Sequence, residues 1–215
     1  MSRSTMRTTL VIELDVTRSL KTEFRLAARN AIADALPRLI HGDHGAVDIY
    51  VRKIDHSSGN DEAAVLSIHL DGVHVCSAGN PFDQKCRNAH KRSLRVARRQ
   101  LWAARRKIRA LRLPQAKAGT VIRGGLAVAG EILASTPGDK WLIVASDMRP
   151  SHAHTPRPTI ALNGVHVVIL FACRQPVAIC QIRQSRWSKE LERDGAIHPV
   201  KFLAAQQMDE LFEVM

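Results

Sequence analysis

Leu10-Val11-Ile12-Glu13-Leu14-Asp15-Val16-Thr17-Arg18-Ser19 is the stretch whose reading decides the fold. Its first five residues are an apolar run broken by one acid, as in a strand buried within a parallel sheet. Its last five carry oxygen-bearing side chains at the alternate positions Asp15, Thr17 and Ser19. These leave the carboxyl end of the strand together, where open α/β sheets place their ligand sites. A second apolar run, Trp141-Leu142-Ile143-Val144-Ala145, ends in Ser146-Asp147, and Thr120 follows Gly119 at the start of a helix-like segment. Two acids and three hydroxyls at the mouths of apolar strands make a hard-oxygen set suited to Mg2+ or Mn2+.

Outward from this stretch, strand and helix patterns alternate. Residues 9–15, 46–54, 63–70, 141–146 and 165–172 read as strands, with Val200-Lys201-Phe202 as a last one. Residues 46–54 alternate apolar and polar, as a half-buried strand does. Helical spacing marks 21–40 (through Phe24, Ala28, Ile32, Ala35 and Leu39), where Pro37 and Gly42 close the segment. It marks the segment after Thr120 (Ile122, Leu126, Ala129, Leu133) and 185–194, anchored by Trp187 and Leu191. Residues 204–214 read as a closing helix. His56 to Glu62 is turn-like, Gly72 to Cys76 extends a hairpin, and Asn80-Pro81 breaks the chain before a long helix. The alternation predicts an α/β fold of three layers, with a doubly wound, mostly parallel sheet covered on both faces.

At 215 residues with 45% apolar content, the chain suits a single globular domain spanning 1–215. No apolar run approaches the roughly 20 residues of a membrane span. The polar start, Met1 to Thr9, lacks the apolar core of a signal peptide, so cytoplasmic residence is the default expectation. The four cysteines, Cys76, Cys86, Cys173 and Cys180, form no Cys-x-x-Cys pair. They are expected as free thiols, with Cys173 a small hydrophobe at the end of an apolar strand.

Asp15, Thr17 and Ser19, with the distant Thr120 and the later Asp147, resemble the metal-ion-dependent adhesion site of von Willebrand factor A domains. That family's pattern is Asp-x-Ser/Thr-x-Ser, then a Thr, then an Asp after a later strand. The strand and helix order resembles the family over nearly the whole chain. Arg18 stands where the family usually carries Gly. The resemblance implies a doubly wound sheet with its site at the switch point and the first strand central. It implies Thr17 and Ser19 as direct metal ligands, Thr120 direct or water-linked, and Asp15 and Asp147 as the supporting shell. A first shell with little negative charge leaves the ion electrophilic, so that its open position favours an incoming carboxylate from an acidic protein ligand. Taken singly, the same residues also serve as caps and turn formers, Thr17 or Ser19 at an N-cap and Asp147 in a turn.

The second feature is charge. Between Gln84 and Arg112 stand twelve Lys or Arg residues and no Asp or Glu, equal to the whole formal net charge of +12. Leu94, Ala97, Leu101, Ala104, Ile108 and Leu111 form a narrow apolar seam through the same segment. This predicts one long basic helix at about 82–113, roughly 40 Å long. Its cations, Lys91, Arg92, Arg95, Arg98, Arg99, Arg105, Arg106 and Lys107 among them, are either a solvated face or a contact for a polyanion, with nucleic acid the leading partner. Trp102 is the one aromatic in the segment, too few for base stacking on single strands.

His152 and His154 lie in the Pro-rich loop Arg149–Pro158, a polar excursion that rims the site or, less simply, a transition-metal pair. No Gly-x-Ser-x-Gly, Walker-type phosphate loop or His-Glu-x-x-His occurs. Metal-dependent phosphohydrolases also begin with an Asp at the end of a first strand, but they cluster carboxylates around catalytic magnesium. Here hydroxyls fill those places. The expected function is a non-enzymatic, bacterial-type binding module that uses a divalent metal. The alternatives are a nucleic-acid-associated protein and, behind it, the hydrolase.

Overall fold

A computed structural model describes residues 7–39, 45–55, 63–73, 84–113, 115–116, 121–149 and 158–211. Among the described residues six strands form one sheet, in the order β3-β2-β1-β4-β5-β6. They are β1 (Thr8–Asp15), β2 (Val47–Ile54), β3 (Ala64–Leu70), β4 (Asp139–Ser146), β5 (Val165–Phe171) and β6 (Ala196–Ala204). All neighbouring pairs are parallel except β2 with β3, an antiparallel edge. Among the described residues the α-helices are α1 (Thr22–Ala35), α2 (Gln84–Arg109), α3 (Ile122–Ala134) and α4 (Val177–Arg193).

The alternation along β1 shows why the sheet is covered twice. Leu10, Ile12 and Leu14 pack with α1 and α2 in one core, whereas Val11 packs with α3 and α4 in a second. Successive side chains of a strand point to opposite faces, so a run with no solvent-facing position requires helices on both sides. The chain passes from β1 to β2 on one side and reaches β4 on the other. The switch point therefore lies at the carboxyl ends of β1 and β4. Residues 122, 126, 129 and 133 are all buried, as their spacing predicts. Among the described residues no helix is long and apolar enough to cross a membrane.

Several expectations are corrected. β2 is not half-buried: Asp48 and Arg52 are buried with their apolar neighbours, because both faces are covered and each has a hydrogen-bonding partner on a neighbouring segment. Arg7 Nε lies 2.5 Å from Asp48 and His69 Nδ1 lies 2.7 Å from it. Arg52 Nε lies 3.0 Å from Glu13 Oε1. α1 gives way to a 3-10 turn, Leu36–Leu39, where Pro37 interrupts the helical ladder. α4 begins eight residues earlier than its apolar spacing marks, because Val177 and Ile182 in its first turns are exposed and break the seam. β6 extends well beyond residues 200–202, and within the expected closing helix residues 205–210 form a 3-10 helix.

The free-thiol expectation is also overturned. Cys173 and Cys180 form a disulfide, and Cys86 is bridged as well. Seven residues separate Cys173 from Cys180 in sequence, but the turn from β5 into α4 brings their Cα atoms to 5.9 Å. The turn at 56–62, the hairpin extension beyond Val73, the break at 80–81, Cys76 and the His152–His154 loop lie outside the described residues.

Candidate metal and ligand site

Asp15, the last residue of β1, sits at the switch point with 1% of its surface exposed. Its Oδ1 accepts from the Thr17 amide at 2.9 Å and from the Thr17 hydroxyl at 2.6 Å. Its Oδ2 accepts from the Ser146 hydroxyl at 2.8 Å. A buried carboxylate is tolerable only when its lone pairs are filled in this way. Burial still holds the Asp15 carboxyl above its ordinary range, against the hydrogen bonds from Thr17 and Ser146, and the nearby charge of Asp147 adds to the rise.

The loop after β1 is held from several sides. The Val16 amide donates to Ile54 O at 3.2 Å, and Val16 O accepts from the Ala116 amide at 2.8 Å and from Arg25 at 3.3 Å. Arg25 is buried on α1 and also reaches Thr22, so the helix braces the loop it follows. The result sets Thr17 Oγ1 and Ser19 Oγ 3.0 Å apart, with Thr17 buried and Ser19 exposed. Arg18 between them is exposed.

The loop after β4 is held as firmly. Ser146 accepts from the Met148 amide at 2.9 Å, and Asp147 Oδ1 accepts from the Arg149 amide at 3.0 Å. Met148 has φ 55°, the left-handed region that non-glycine residues rarely adopt. Trp187 Nε1 donates to Met148 O at 3.0 Å, and Arg183 donates to Asp147 O at 3.1 Å. Such backbone costs about 1–3 kcal/mol and persists where the surroundings over-determine it. Here α4 and the Ser146 hydroxyl do so, which presents Asp147 beside Asp15.

Four of the five anticipated residues thus meet at one sheet end: Asp15, Thr17 and Ser19 in one hydrogen-bonded chain, and Asp147 next to it. Thr120 lies outside the described residues; Val121, which follows it, donates its amide to Asp55 O at 3.2 Å. Ser146 was not singled out as a site residue. Its signal was its place as the last residue of β4, one step beyond the Leu14–Ala145 pairing and so beside Asp15.

The donor set fits a small hard cation. Two adjacent oxygens of an octahedral shell with bonds of ~2.1 Å lie about 3.0 Å apart, and Thr17 Oγ1 and Ser19 Oγ have that spacing. The Thr17 proton is committed to Asp15, so Thr17 Oγ1 meets Ser19 Oγ as an acceptor. Among the described residues no three His, Cys, Asp or Glu side chains gather as a metal cluster. The oxygens on offer are hydroxyls backed by two carboxylates.

No protein-family model matches the chain, and no curated protein matches its sequence. Solved structures match its fold. The pilus adhesin SpaC from Lactobacillus rhamnosus GG aligns at 12% identity with a TM-score of 0.53, over 99% of this chain and 30% of the adhesin. The chain therefore spans under a third of that adhesin's length, and at this identity the likeness is one of fold alone. A serine-substituted aerotolerance-related membrane protein from Bacteroides fragilis NCTC 9343 aligns at 10% identity over 97% of this chain and 95% of its own, with a TM-score of 0.45. The architecture defined by the sheet order and the flanking helices is an α/β fold of the Rossmann and von Willebrand factor A-like class.

Proposed function

We propose that the chain is a non-enzymatic binding module that captures an acidic side chain of a protein partner through Mg2+ or Mn2+. The observation that supports this most is the 3.0 Å spacing of Thr17 Oγ1 and Ser19 Oγ, fixed by a buried Asp15. Thr17 and Ser19 would hold the ion, with Asp15 and Asp147 behind them and Thr120 completing the set. The ion supplies an electrophilic position for a carboxylate. The chain's own residues do the rest. Asp15 orients the Thr17 hydroxyl and takes a hydrogen bond from Ser146, Arg25 and the Ala116 amide hold the loop, and Arg183 and Trp187 fix the opposite rim. Neutral hydroxyls in contact with the ion leave its charge available to the partner, where a cluster of carboxylates would cancel it. The SpaC likeness agrees with this reading in fold.

Surface plasmon resonance tests it. Short peptides that each carry a single Asp or Glu are immobilised, and the chain is passed over them with magnesium or with chelator. Capture of a subset of peptides is expected with magnesium, with faster dissociation under chelator and loss in Ser19→Ala. High salt should chiefly slow association, because steering of a basic protein is long-range and screened beyond about 8–10 Å. Binding indifferent to both chelator and Ser19→Ala would contradict the reading.

A further inference from the structure

We infer that the solvent face of α2 is a second interaction surface, independent of the metal loop, and that it takes the phosphodiester backbone of a nucleic-acid duplex. The two flanks of α2 are already engaged. Ala97, Leu101, Ala104 and Ile108 are buried in the core. On one side Arg105 and Arg109 bind Asp34 of α1 at 2.5 and 2.6 Å. On the other, Gln100 donates to Asp71 at 2.7 Å, beyond the end of β3.

Between those flanks Arg92, Arg95, Arg99 and Arg106 recur at spacings of 3, 4 and 7, which puts them on one helix face. All four are exposed, and none has an ion-pair partner among the described residues. Like charges three and four residues apart destabilise a helix. A row of them with no acid anywhere in α2 is unfavourable for the isolated chain and is relieved by a polyanion.

The chemistry of the row selects among polyanions. Guanidinium groups dominate it, and their planar forks match phosphate oxygens in pairs. The apolar seam of the helix is spent in the core, so no apolar face remains to enter a bilayer as a membrane-surface helix requires. From Arg92 to Arg106 the row runs about 21 Å at ~1.5 Å per residue, a straight line of charge that fits a rigid phosphate backbone better than a compact acidic patch. Trp102 is 56% exposed in the same stretch, with the Arg105 guanidinium 4.9 Å from its ring. One aromatic does not make a stacking platform for single strands. It does make a reporter, because Trp141 and Trp187 are buried.

The test is fluorescence anisotropy with a labelled mixed-sequence DNA duplex, backed by the chain's own tryptophan emission. The duplex should bind at low salt, perturb the emission of the wild type but not of Trp102→Phe, and be indifferent to chelator. With about four phosphate contacts, one for each arginine of the row, affinity should fall roughly 100- to 200-fold between about 50 and 200 mM salt. The variant R92E/R95E/R99E/R106E should lose binding with an unchanged circular dichroism spectrum, and R95Q/R99Q should weaken it if the charge reversal harms folding. Failure to bind the duplex, a flat salt profile, or equal affinity for poly-glutamate or for phosphatidylserine vesicles would overturn the assignment. Dependence on chelator would overturn the independence of the two surfaces.

Discussion

Saturating magnesium is expected to raise the melting temperature of the wild-type chain by roughly 5–10 °C, and Asp15→Asn is expected to abolish that rise. A ligand at a hundred times its dissociation constant stabilises the folded state by about 2.7 kcal/mol. For a chain of this size each kcal/mol is worth about 2–4 °C. Asparagine keeps the shape of Asp15 and still accepts from the Thr17 amide and hydroxyl, but it cannot supply the charge behind the ion. Without metal, the melting temperature of Asp15→Asn should lie at or above that of the wild type, because burial already disfavours the charged form of Asp15. The magnesium effect should also shrink on acidification, since binding needs the carboxylate that protons compete for. Differential scanning calorimetry with magnesium against chelator reads all of this. A shift that persists in Asp15→Asn would put the bound ion elsewhere.

The second large effect concerns Glu13, two residues earlier on β1 and wholly buried. Its Oε1 meets Arg52, whereas its Oε2 has no hydrogen-bond partner. Burial pushes the carboxyl from its ordinary 4.5 up to about 8, outweighing the pull of Arg52. The sign follows from linkage: the folded chain holds a proton that the unfolded chain releases, so the contribution is full below the ordinary pKa and is lost as pH rises toward 8. Wild-type stability should therefore decline between about pH 5 and 8, at a slope approaching ~1 kcal/mol per pH unit while Glu13 alone titrates. Glu13→Gln should match the wild type near pH 5, resist the decline, and exceed it at pH 8. Urea unfolding at the two pH values reads the slopes. Parallel slopes in the two proteins would mean that Glu13 is ionised in the folded chain throughout this range.

Both expectations grow from one strand, and β1 was the most legible part of the sequence. A continuous apolar run with oxygen donors at its end has few homes besides the central strand of a doubly wound sheet, and Leu10 to Leu14 occupies it. α3 was legible because all four of its spaced apolar residues face one core. Legibility failed where tertiary pairing replaced the usual signals. Asp48 and Arg52 read as solvent-facing positions because local pattern does not reveal that Arg7 and His69 would pair with the first and the buried Glu13 with the second. The first turns of α4 carry exposed Val177 and Ile182, so apolar spacing misplaced the start of the helix. Cys173 and Cys180 read as unrelated thiols until the turn between β5 and α4 brought them together. Ser146 was plain as a strand end, but its role needed the register of β4 against β1. On α2 the sequence displayed the charge, and the structure sorted it: Arg105 and Arg109 are tied to Asp34, whereas Arg95 and Arg99 face outward.

The most direct test of the metal loop is isothermal titration of Mn2+ into the wild-type chain and into Ser19→Ala. Ser19 is exposed and its hydroxyl lies 3.0 Å from that of Thr17, so its removal spares the core and deletes one donor. A single class of sites in the wild type, lost or strongly weakened in Ser19→Ala, is the expected result. No binding heat in the wild type across a range of temperatures, or an isotherm unchanged by Ser19→Ala, would contradict a metal centre built on Asp15, Thr17 and Ser19.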